Sequence, residues 1–136
     1  MDQGARSLIV LFTDGQDNTS VLDEAQVRTV AERSNALIHV VGWNPPESTV
    51  AGSPEQAQIR ALGDLAEATG GRFWTAQSPR HLQQAFAAIA NAMSERYVLR
   101  YEPRGVQREG WHRLEVRQRG PKGKVQARRG YWVAKP

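Results

Sequence analysis

Directly after the apolar run Ser7–Phe12 comes Thr-Asp-Gly-Gln-Asp-Asn-Thr-Ser, residues 13–20. Oxygen ligands suit a hard divalent cation, and Asp14, Asp17, Asn18, Thr19 and Ser20 supply them close together. The spacing is not that of a calcium-binding helical loop: counted from Asp14, the sixth position is Thr19 instead of Gly and the twelfth is Ala25 instead of Glu. Local chemistry favours a turn at Asp14-Gly15, with Asp17, Asn18 and Ser20 capping the helix that follows. A metal-assisted hydrolase built on Asp14 and Asp17 is the enzymatic alternative, and the sequence offers it no base, nucleophile or oxyanion group. Phosphate-loop, GxGxxG and GxSxG motifs are lacking, as are histidines paired at ligand spacing. His39 lies inside an apolar run and reads as a core histidine with its hydrogen bonds satisfied; His81 and His112 read as surface residues.

The elements that must position these residues follow from hydrophobic periodicity. Ser7–Phe12 is a continuous β-prone run, as in a parallel strand covered on both faces. Ser20, with Asp23 and Glu24 after it, predicts a capping box opening a helix over residues 21–34. The run Ala36–Trp43 is a second strand, so strand, helix and strand make a βαβ unit. Ser53-Pro54 opens a helix that presents Ile59, Leu62, Leu65 and Ala66 and stops at Gly70-Gly71; residues 72–76 form a third strand. Ser78-Pro79 opens a last helix with a core stripe of Leu82, Phe86, Ile89 and Met93. In an open parallel sheet the ligand face lies at the carboxyl ends of the strands. Thr13, Asp14, Gly15, Asp17 and Asn18 after the first strand, Trp43 and Asn44 at the second, and Thr75 at the third are therefore expected along one edge.

After Arg96 the periodicity changes from helical to alternating, in Tyr97/Leu99/Tyr101, in Leu114/Val116 and in residues 125–134, which predicts three antiparallel strands. The fold class is therefore α/β: a partial doubly wound, Rossmann-like parallel sheet of three βα units over residues 1–95, followed by an antiparallel β extension over residues 96–136. Charge divides at the same place. Residues 1–95 hold six Lys/Arg against eleven Asp/Glu, and residues 96–136 hold twelve against three. Such a basic tail could meet a polyanion or the chain's own acidic part. Against a nucleic acid, its arginines are spread over alternating positions and interleaved with Glu102, Glu109 and Glu115. The chain has no cysteine, no apolar run long enough to span a membrane and no signal-peptide pattern in its first residues.

The stretch "LIVLFTDGQDNTS", then a helix, then "ALIHVVGW" resembles the second half of a von Willebrand factor type A domain, whose fourth strand commonly ends in a TDG or SDG motif. "RYVLRYEP", "GWHRLEVRQR" and "VQARRGYWVA" are similar to the ending of bacterial, acidobacterial-type relatives of that family. The resemblance implies a non-enzymatic protein-interaction or adhesion-type module, with extracytoplasmic complete members. It also implies that Asp14 is the TDG aspartate of a metal-ion-dependent adhesion site holding Mg²⁺ or Mn²⁺ in a complete parent domain. The family's Asp-x-Ser-x-Ser motif and loop threonine have no counterpart here and are expected upstream of residue 1, so the site in this chain is expected to be incomplete. The implied partners are a protein ligand or the N-terminal half of the domain. A homodimer through the Ser7–Phe12 strand edge is a further expectation, because an unpaired apolar edge templates pairing.

Overall fold

The computed structural model describes residues 7–14, 23–43, 54–106, 108–120 and 123–134. In these stretches β1 (Leu8–Thr13), α1 (Glu24–Arg33), β2 (Leu37–Trp43), α2 (Pro54–Thr69), β3 (Phe73–Ala76) and α3 (Pro79–Ser94) alternate along the chain, followed by β4 (Gly110–Arg113) and β5 (Gly130–Val133). The first three strands form a parallel, Rossmann-like sheet in the order β1-β2-β3, and β4 and β5 form a separate antiparallel pair. This is the expected α/β class with its β extension.

Burial follows from strand alternation. Ile38 and Val40 of β2 face one side and pack with Ala31 of α1 and Leu65 and Ala66 of α2. Val41 faces the other side and packs with Ala76 of β3 and with Ala85 and Ile89 of α3. The central strand is thus covered on both faces, as its unbroken apolar sequence requires. The turn from α2 into β3 is a Schellman motif: Gly71 N–H donates to Ala66 O at 2.8 Å and Gly70 N–H to Glu67 O at 3.1 Å. Gly70 sits at φ 90°, and a Cβ on Gly71 would come within 1.8 Å of Ile38 O, so β2 and this turn meet backbone to backbone. Thr69, fully buried, closes the junction: its hydroxyl donates to Ala66 O at 2.9 Å and accepts from Ile38 N–H at 3.1 Å.

Three details differ from the sequence expectations. The N-cap of α1 is Asp23 in place of Ser20: the Asp23 carboxylate accepts from Gln26 N–H at 2.8 Å, and the Gln26 side chain accepts from Asp23 N–H at 3.0 Å. Both the box and its glutamine stand one turn beyond the predicted start, and Asp17, Asn18 and Ser20 lie outside the described residues. The stripe on α3 is only partly core: Ile89 is buried, whereas Phe86 keeps 44% of its surface exposed, and the helix packs mainly on β3 and β2. The extension has two strands among the described residues instead of three; Tyr97, Val98 and Leu99 form none and are largely exposed. Alternating sequence alone makes no strand without a neighbour to pair with.

The extension closes on the base of the helices. Arg128 donates to the carbonyls of Glu32 and Ser34 (2.8 Å to the latter) at the end of α1, and the Gln126 amide donates to Gly70 O at 3.0 Å and Gly71 O at 2.7 Å after α2. Arg129 pairs with Glu67, and the Arg33 guanidinium lies 4.2 Å from the Trp132 ring centroid. Helix C-termini present unpaired carbonyls and the negative end of the helix dipole, which is where cationic donors are favourable.

Candidate functional site

The parallel register brings part of the expected ligand edge together. Thr13 is opposite Gly42 and Gly42 opposite Thr75, while Trp43 stands opposite Ala76 at the end of the same two strands. Asp14 follows β1 directly and is exposed. Thr13, Asp14, Trp43 and Thr75 thus share the carboxyl edge, where the twist of the sheet also brings Phe12 and Trp43 to a ring separation of 6.4 Å. Gly15, Asp17, Asn18 and Asn44 lie outside the described residues.

Sharing an edge does not make these residues one coordination sphere. Thr13 and Thr75 stand two strand spacings apart, roughly 9–10 Å, about twice the span that two oxygens on one Mg²⁺ can cover. The row between them is occupied by Gly42, above which the Phe73 ring closes the space a side chain would need: a Cβ there would meet that ring at 2.7 Å. Among the described residues no three His, Cys, Asp or Glu side chains gather closely enough to hold a metal ion. A shallow groove runs beside β3 and α3, lined by Trp74, Thr75, Gln77, His81 and Gln84. It is open and offers polar amides with one aromatic wall.

His39 is the buried titratable group nearest this edge. It keeps 3% of its surface exposed, and its Nδ1 accepts from Arg72 N–H at 3.2 Å and from the Trp74 indole N–H at 3.3 Å. Two donors converging on one ring nitrogen require that nitrogen to be unprotonated. Burial holds the His39 pKa below its ordinary value, and the nearby positive charge of Arg72 acts in the same direction. The Arg72 guanidinium in turn lies 5.1 Å from the Trp74 ring centroid. The core reading of His39 therefore holds: its role is to join β2 to β3. The involvement of Arg72 and Trp74 has no local sequence signal, because the partners are 33 and 35 residues away.

No family model matches the chain, and no curated protein matches it. Among solved structures, the chain is similar to an uncharacterised membrane-spanning protein from Vibrio fischeri, with a TM-score of 0.51 and 22% identity over 63% of this chain and 46% of that one. The likeness is one of fold, and the chain spans less than half the length of that protein. Among the described residues no helix is long and apolar enough to cross a membrane.

Proposed function

We propose that this chain is a non-enzymatic binding module, the C-terminal half of a von Willebrand type A domain, with Asp14 as one ligand of an adhesion-type metal site whose other ligands it does not carry. The observation that supports this reading most is the placement of Asp14 immediately beyond the carboxyl end of β1, on the edge that also holds Thr13, Trp43 and Thr75. A strand that ends in Thr-Asp-Gly and a helix after it, in this order, are what the TDG resemblance requires. One carboxylate completed by water holds Mg²⁺ weakly.

The test is calorimetric titration of the chain with Mg²⁺ and Mn²⁺, alongside turnover assays on p-nitrophenyl phosphate and p-nitrophenyl acetate. The expected result is metal binding no tighter than the millimolar range and no turnover above background. Saturable micromolar binding abolished by Asp14→Ala would show that local ligands complete the site, and Asp14-dependent turnover would replace the binding module with an enzyme.

A further inference from the structure

We propose that the outer edge of β1 is the interface of a two-fold dimer, in which the β1 strands of two copies pair antiparallel and join two three-stranded sheets into one. The inference concerns the side of the sheet, not its loop edge, and so goes beyond the reading above: its failure leaves that reading untouched.

Leu37 N–H donates to Ser7 O at 2.8 Å, so by strand alternation the amides of Ile9 and Leu11 face β2 and those of Leu8, Val10 and Phe12 face outward. No described strand pairs with that side. Soluble proteins protect such an edge with charge, proline or a bulge. The strand reads LIVLFT, with none of these.

The side chains then decide what covers the edge. Leu8, Val10 and Phe12 point to the α3 side of the sheet, and Ile9 and Leu11 to the α2 side. Leu8 is 38% exposed, Ile9 47%, Leu11 38% and Phe12 52%. Phe86, one turn beyond Leu82, which packs with Val10's cluster, extends the α3-side patch and is 44% exposed. A single bound peptide strand would satisfy the outward amides but leave apolar surface wet on both faces. A second copy covers both. A two-fold axis normal to the sheet keeps like faces together, setting the partner's β1 beside this one and its α3 on the same side as Phe86. These five residues leave on the order of 400 Å² of apolar surface per chain, given the usual side-chain areas. At the apolar share typical of homodimers this corresponds to a total interface of about 1,200 Å², the lower end of the specific range. Micromolar self-association is what an interface of that size supports.

Light scattering after size exclusion between about 1 and 100 µM chain, a range that brackets micromolar affinity, is combined with hydrogen exchange resolved at Leu8, Val10 and Phe12. The expected result is a mass of two chains at the high end, falling toward one on dilution, with protection of those three amides lost in parallel. Ile9→Lys is expected to weaken the dimer by at least about tenfold, and Val98→Lys, at a more exposed apolar position outside the edge, to leave it unchanged. Dilution-dependent protection of the unaltered chain is the readout that needs no variant to fold. A monomer at 100 µM overturns the proposal: with freely exchanging amides the edge is bare, and with protected ones the chain's own segment, such as residues 97–101, covers it. A dimer insensitive to Ile9→Lys overturns it too.

Discussion

Acidification should loosen the contact between β2 and β3 through His39. The ring is buried, and its Nδ1 accepts from Arg72 N–H and from the Trp74 indole, so a proton there would displace two hydrogen bonds and place a charge in the core beside Arg72. The folded-state pKa lies below the ordinary value of 6.5, so between the two values the unfolded chain binds more protons than the folded one. The stability held above pH 6.5 is therefore lost as pH falls through the folded-state pKa, at a rate of up to about 1.4 kcal/mol per pH unit for a single proton. Urea unfolding at pH 7.5, 6.5, 5.5 and 4.5, on the chain and on His39→Gln, measures it. The Gln amide can still accept from one donor and does not titrate, so the difference between the two curves isolates His39 from the carboxylates and other histidines. The expected difference shrinks steadily below pH 6.5. Parallel curves across the whole range would refute the assignment of an unprotonated, doubly accepting His39.

Asp23→Ala should cost about 0.5–2 kcal/mol through loss of the capping box on α1, whereas Ser20→Ala should fall within about 0.5 kcal/mol of the parent; chemical denaturation of both variants compares them. Thr69→Val keeps the shape but leaves Ile38 N–H buried without its acceptor, which should cost about 1–3 kcal/mol by chemical denaturation, and Thr69→Ser should recover most of it.

What the sequence revealed and what it did not divide along the range of the interactions. Ser78-Pro79, Gly70-Gly71 and the run through Val40 and Val41 carry their outcome locally: the Ser78 side chain accepts from His81 N–H, glycine at φ 90° ends α2, and β2 is buried on both faces. The sequence pattern places the start of α1 one turn early, with Ser20 as the cap; the reciprocal pairing of Asp23 with the Gln26 side chain sets it at Asp23. Tyr97, Leu99 and Tyr101 alternate as a strand should, yet Tyr101 meets Tyr131 edge-on at 5.6 Å without a backbone ladder. Of the candidate ligand edge, the strand-end residues Thr13, Trp43 and Thr75 were legible because parallel strands align their carboxyl ends. The contacts of Arg128 with residues 32 and 34 span more than ninety positions, and no local pattern encodes them.

Those contacts bear on the excess of twelve Lys/Arg over three Asp/Glu in residues 96–136. Read as composition it suggests a polyanion partner, but several of its arginines are engaged within the chain, among them Arg128 at the end of α1, Arg129 on Glu67 and Arg117 on Glu115. The exposed Arg117–Glu115 pair contributes little to stability. Arg128 is different, since it is half-buried and its guanidinium holds two carbonyls at a helix C-terminus, where its charge also complements the dipole. Arg128→Met retains much of the apolar stem, removes the donors and leaves those carbonyls under the extension, so it should lower stability by about 1–3 kcal/mol. As a clamp, Arg128 contributes nothing to polyanion contact, so the folded variant should elute from a heparin column no earlier than Lys124→Met, which removes a comparable charge from an exposed position. Unchanged stability with a clear loss of heparin retention would reverse the assignment and make Arg128 part of an anion-binding surface.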